Sequence, residues 1–163
     1  AYHAYFTRQS HEKRMRRIHE SSRDSARTPV QWSAEENAGF TTGTPWFHIN
    51  PNYPTVNVAA EEKDPASILN FYRKCLALRK SSETLLWGDY REYQPWRGKV
   101  YLYERAYKGE RILVICSFSH LVQLYRLPRG YDRAGAELLL CNYAEAPTLG
   151  QLRPYEAQIY RWK

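Results

Sequence analysis

The sequence predicts an α+β chain in which helices and a long ordered loop precede an antiparallel β module. Three observations carry that prediction. Residues 66–80 repeat apolar side chains at helical spacing, the period drops to two from Leu85 onward, and the stretch from Ser21 to Trp46 follows neither period. That middle stretch holds Trp32, Phe40 and Trp46 among the punctuating Pro29, Gly39, Gly43 and Pro45. Gly and Pro set fixed turns, and large aromatics need a surface or a ligand to lie on, so the stretch reads as an ordered loop and not a linker.

Residues 8–20 carry good helix formers behind a possible Ser10 cap, with Met15 and Ile18 as a thin apolar stripe. An exposed helix resting on something else is the expectation there. Residues 47–65 are rich in turns, including Asn50-Pro51-Asn52 and Tyr53-Pro54. They end at Asp64-Pro65, an N-cap with proline at the first helical position. In the 66–80 helix Ile68, Phe71, Cys75 and Leu78 form one row and Leu69, Tyr72 and Leu76 the next, a wide apolar face directed at a core. Arg79 and Lys80 complement the negative end of its dipole. Strands follow at 90–93, 100–107, 112–118, 121–127, 137–141 and 155–162, with Lys108-Gly109 as a tight turn. The uninterrupted ILVICSF run marks a central strand, and the whole suits a sandwich or meander.

Composition excludes several classes of protein. No run of about 18 uncharged apolar residues is present, so nothing spans a membrane as a helix. Cys75, Cys116 and Cys141 are odd in number and widely spaced among apolar neighbours, which reads as buried free thiols in a reducing, cytoplasmic setting. The net charge is +7, and seven Lys/Arg against three acids between Arg8 and Arg27 place more than half of it in one short piece. That piece lacks a groove-reading motif, and its neighbouring tryptophans are not interleaved with lysines, so nucleic acid is not the expected partner. The first residues, AYHAYFTRQSHEKR, have neither an initiator Met nor a signal-peptide layout, which suggests an interior segment of a larger protein.

The residues alone offer a binding loop without a complete active site. His3, His11, His19, His48 and His120 stand in no nucleophile setting, and His11 and His19 are two helical turns apart, too far to share a metal unaided. No phosphate-cradling glycine loop is present. Glu35-Glu36 and Glu61-Glu62 are adjacent pairs in loops, which point apart and read as solvated surface. Asp24 between Arg23 and Arg27 is held ionised and suits an orienting partner, not a general acid. Arg23 and Arg27 with Trp32 and Trp46 would suit a sugar, whose hydroxyls take forked hydrogen bonds and whose C–H faces lie on indole. An Arg–Asp pair pinning the loop to a scaffold is the competing account. The residues leave Arg23 open between the two and favour pinning for Arg27.

SRDSARTPVQW, NAGFTTGTPW, NPNY and TVNV in this order, followed by FYRKCLALRK, LLCNY and LRPYEAQIYRW, resemble the α-amylase-type glycoside hydrolases of family 13 over essentially the whole chain. The branch it resembles is that of oligo-1,6-glucosidases and α-glucosidases, which also holds trehalose-6-phosphate hydrolases and sucrose isomerases. The resemblance implies that residues 1–82 are the last part of a (β/α)8 barrel and 84–163 a C-terminal antiparallel β-sandwich. It implies retaining hydrolysis of α-glucosidic bonds in short oligosaccharides, with no catalytic carboxylate in this chain, those residues preceding Ala1. Arg23 would contact substrate, and Asp24, Arg27 and Trp32 would support the loop. Val30 stands where methionine is common, a swap of similar volume. The expected partners are an oligosaccharide and the upstream barrel, with no cofactor or metal. From another class, residues 84–163 could form a non-catalytic carbohydrate-binding or stabilising domain.

Overall fold

The computed structural model describes residues 12, 13, 15, 16, 18, 27–93 and 98–163. The chain divides into two compact units, Ala1–Asn70 and Phe71–Lys163. Residues 12, 13, 15, 16 and 18 are helical and exposed, in keeping with the expected exposed helix. Its Ser10 cap lies outside the described residues.

The first unit is built around a backbone knot. Asn37, Ala38 and Gly39 take left-handed dihedrals in succession, at φ 52°, 57° and 64°. Such a run costs L-residues about 1–2 kcal/mol each, glycine aside, so something must hold it. The Ala38 carbonyl accepts from the backbone N–H groups of Trp32 and Ser33 at 2.9 and 3.0 Å, and its side chain is fully buried. At Gly39 a Cβ would meet Ser33 Oγ at 2.6 Å, so any other residue must displace that hydroxyl as well as hold the left-handed backbone. Asn57 then caps α1 (Val58–Lys63), its Oδ1 accepting from Ala60 N at 2.8 Å while its Nδ2 donates to the Tyr53 carbonyl at 2.8 Å. Glu61 and Glu62 are therefore helical, where loops were expected.

Helix α2 (Ile68–Ser81) starts later than the Asp64-Pro65 signal suggests. Asp64 Oδ1 instead caps a turn by accepting from Ala66 N at 2.8 Å. The helix is started by the buried Ser67, whose Oγ accepts from Asn70 N at 3.2 Å, and by the Glu61 carboxylate, which accepts from Leu69 N at 3.0 Å. No residue of α2 is fully buried, and Ile68, Tyr72 and Leu76 are exposed, Ile68 by 81%. Within the described residues the expected apolar face is covered only in part: Phe71, Cys75 and Leu78 are half-buried, while the Ile68–Tyr72–Leu76 side lacks a partner layer.

The second unit is a β module. The short α3 (Glu83–Trp87), capped by Ser82 Oγ accepting from Leu85 N, leads into β1 (Asp89–Tyr93). Gly88 makes this junction because a Cβ there would strike the Thr84 and Ala106 carbonyl oxygens at 2.4 and 2.9 Å. With β2 (Val100–Tyr107), β3 (Glu110–Ser117), β5 (Glu137–Cys141) and β7 (Ala157–Trp162), β1 forms one antiparallel sheet in the order β1-β2-β3-β7-β5. A two-stranded ribbon, β4 (Gln123–Leu124) and β6 (Gln151–Leu152), stands apart from it. Val100, Leu102, Leu113, Ile115, Tyr160 and Trp162 on one face pack with Tyr125 and Leu152 of the ribbon region. On the other face Ile112 and Val114 pack with Leu85 of α3, and Leu78 of α2 joins them.

β3 is central and buried on both faces, as its apolar run indicates. The antiparallel β expectation thus holds, with one full sheet and a ribbon where two sheets were anticipated. Of the anticipated 121–127 strand only β4 forms, because Ser119 Oγ accepts from Leu121 N and the Gln123 amide donates to the carbonyls of Leu121 and Val122, closing a local turn. Tyr155, with φ 53°, belongs to the turn before β7 and not to the strand.

Candidate active-site loop

Arg23 and Asp24 lie outside the described residues. Arg27 and Trp32 both belong to the ordered loop, Arg27 exposed and Trp32 half exposed. The loop is fastened by amides. Gln31 Nε2 donates to the Val56 carbonyl and to Asn52 Oδ1, while the carbonyls of Gln31 and Trp32 accept from Val58 N and Ala59 N at 2.9 and 3.0 Å. Asn37 Nδ2 reaches the Gly43 carbonyl at 3.3 Å.

These bonds tie the PVQW and NAGF segments to NPNY and TVNV. Motifs spread over residues 29–58 are thus one hydrogen-bonded assembly. Its aromatic rings point outward: Phe40 is exposed, Trp46 is 71% exposed, and Trp46, Phe47 and His48 follow one another at ring-centroid distances of 5.4 and 4.5 Å. A surface of indole and phenyl rings on a rigid backbone can stack against the apolar faces of a sugar or pack on another layer of protein. Sequence reasoning picked out the rings but missed Gln31, Ala38, Asn52 and Asn57, which position them. The signal for the knot was present in Asn-Ala-Gly, since Asn and Gly are the residues that tolerate left-handed backbone.

The later motifs serve the β module. Glu156 is 1% exposed and accepts from Arg153 three times: from the backbone N at 2.6 Å, Nε at 3.1 Å and Nη2 at 2.7 Å. Burial pushes its carboxyl up, but hydrogen bonds from Arg153, Gln158 and Cys141 outweigh that and bring it down to about 2. The Arg153 guanidinium also lies 4.0 Å over the Tyr143 ring, whose hydroxyl donates to the Pro154 carbonyl at 2.7 Å. Asn142 joins the same strands, accepting from Ala157 N at 2.8 Å. LLCNY and LRPYEAQIYRW are therefore two halves of one structural network.

Cys75, Cys116 and Cys141 are free thiols, half-buried where full burial was expected. Burial raises the pKa of each, which keeps them protonated and poorly reactive. Among the described residues no group of three His, Cys, Asp or Glu side chains could hold a metal ion, and no helix is long and apolar enough to cross a membrane.

The family model described as "Alpha amylase, catalytic domain" matches residues 3–88, just over half of the chain. The chain belongs to the α-amylase family. Among curated relatives in this family it is 42% identical over 154 residues to an oligo-1,6-glucosidase of Parageobacillus thermoglucosidasius, covering 90% of this chain and 27% of that protein. It is 41% identical over 139 residues to a trehalose-6-phosphate hydrolase of Escherichia coli, covering 83% of this chain and 25% of that one. Among solved structures, a trehalose-6-phosphate hydrolase mutant of Bacillus licheniformis matches with TM-score 0.86 at 33% identity, over 97% of this chain and 29% of that one. The trehalulose synthase of Pseudomonas mesoacidophila matches with TM-score 0.77 at 39% identity, over 87% and 26%. The chain thus spans about a quarter of the length of these α-amylase-family relatives.

Proposed function

We propose that the chain is the C-terminal portion of a retaining α-glucosidase of the oligo-1,6-glucosidase type, one that hydrolyses α-glucosidic bonds in short oligosaccharides. Residues 1–82 are the last part of a (β/α)8 barrel, whose active site lies at the C-terminal ends of its strands, and residues 84–163 its C-terminal β domain. The observation that carries this reading is 42% identity to an oligo-1,6-glucosidase over a quarter of that enzyme's length. The outward rings of the 27–48 assembly and the uncovered Ile68–Tyr72–Leu76 stripe support it, because both are surfaces suited to a further layer of barrel.

In this reading the catalytic carboxylates come from residues upstream of Ala1. Arg23 contacts the substrate near the leaving group, while Asp24, Arg27 and Trp32 hold the loop. The three free thiols suit a cytoplasmic enzyme.

The test takes the reading frame extended upstream and assays isomaltose hydrolysis. Arg23→Ala is expected to lower kcat/KM by about 10- to 100-fold, the loss of a charge-assisted hydrogen bond. Unchanged kinetics in that variant would remove Arg23 from the site. The similarity to trehalose-6-phosphate hydrolases favours one second reading, cleavage of a phosphorylated disaccharide. Faster turnover of trehalose 6-phosphate than of isomaltose by the same protein would establish it.

A further inference from the structure

A cleft of about 340 Å³ lies within the β module, where α3 begins beside the β2–β3 turn and the end of β7. That volume is at the lower end of the range for ligand clefts, about 300–1,000 Å³, which suits one or two sugar rings. Its lining combines apolar side chains, Leu78, Ile112 and Leu139, with the polar Ser82, Lys108 and Arg161. Leu78 and Leu139 are half-buried and supply its small apolar wall, Ile112 lies fully buried behind it, and Lys108 stands exposed at the rim.

The charges there are already matched to one another. Lys108 Nζ sits 3.3 Å from Glu83 Oε2, and Arg161 grips Glu137 through Nε at 2.9 Å and Nη2 at 2.6 Å. Thr84, buried, donates its hydroxyl to Glu110 Oε1 at 2.6 Å. The remaining pair is open: Arg161 Nη1 and Glu110 Oε2 stand 3.8 Å apart, too far for a hydrogen bond. A hydroxyl seated between them would accept from Nη1 and donate to Oε2, satisfying both at once. An anion would meet Glu83 and Glu110, and a cation would meet Lys108 and Arg161. A neutral polyhydroxylated ring suffers neither repulsion and can lay a C–H face on Leu78 and Leu139.

We propose that the cleft between α3, the β2–β3 turn and β7 is an auxiliary binding site for one ring of a neutral sugar, with the Glu110–Arg161 gap as its hydroxyl clamp. It gives a location and a ligand class to a carbohydrate-binding role for the β module. The site does not rest on the glucosidase reading, since every lining residue lies within one unit.

The test is an amide chemical-shift titration of the isotopically labelled 163-residue chain with maltose. Saturable shifts are expected around residues 82–84, 108–112 and 161, with affinity of about 1–10 mM. Glu110→Gln should weaken binding about tenfold, because it removes the charged acceptor while preserving an acceptor for Thr84. Should that variant misfold, Lys108→Ala in the exposed turn removes a rim donor and should weaken binding about threefold. The proposal is overturned by an absence of shifts at these residues up to about 100 mM maltose. It is equally overturned by unaltered affinity in a folded variant, or by the same shifts on adding sodium acetate instead, which would mark an anion site.

Discussion

The aromatic loop of residues 27–58 and the β module of residues 83–163 reach order by opposite means. In the loop, carbonyl and amide groups satisfy one another around a left-handed knot while Trp32, Phe40 and Trp46 stay outside. In the module, Leu102, Leu113, Ile115 and Leu152 are buried and a charged pair, Arg153–Glu156, closes one end. A backbone held by hydrogen bonds contributes modestly to stability and strongly to shape, because each bond replaces one to water. Buried apolar area supplies most of the stability. The contrast assigns the module the task of standing firm and the loop the task of presenting a surface.

That contrast can be broken by substitution, and the largest effect belongs to the core. Leu113→Ala should destabilise the module by about 2–5 kcal/mol, read as a lower urea midpoint at unchanged slope. Next comes Glu156→Gln, which leaves the Arg153 guanidinium without its buried counter-charge and should cost about 2–3 kcal/mol. The same group sets a pH dependence. Its folded pKa, about 2, lies below its ordinary value of 4.5, so its contribution is fully present above 4.5 and is lost as pH falls toward 2. Urea midpoints measured across that window should fall for the native chain and stay flatter for Glu156→Gln.

In the loop the expected costs are smaller and local. Gly39→Ala combines a left-handed backbone with a contact to Ser33 and should cost about 1–2 kcal/mol. Asn57→Ala removes the α1 cap for about 1 kcal/mol. Both should speed hydrogen exchange at the Trp32 and Ser33 amides and leave the urea midpoint of the module untouched. A matching loss in the module would mean that the loop carries stability after all.

Local signals made much of the module legible in the sequence. The alternation of residues 100–107, the Lys108-Gly109 turn and the apolar run after it announce β2 and β3 because strand period and turn chemistry are properties of neighbouring residues. What was not legible depends on partners distant along the chain or on competing side chains. The start of α2 is set by Glu61 reaching Leu69 N, eight residues away, which no capping pattern at Asp64-Pro65 reveals. α3 falls where a period of two was expected from Leu85 onward, because five residues, ETLLW, are too few to display a helical period. For the site, the tryptophans and Arg27 stand out by chemical type, whereas Gln31 and Asn57 act through bonds to Val56 and Tyr53 that composition cannot show.

In the proposed function this chain presents sugar-facing surface, and the bond-breaking carboxylates belong to residues outside it. The most direct measurement is release of nitrophenol from p-nitrophenyl α-glucoside by the purified 163-residue chain. No turnover above the uncatalysed rate is predicted; turnover that disappears in Arg23→Ala would contradict the claim.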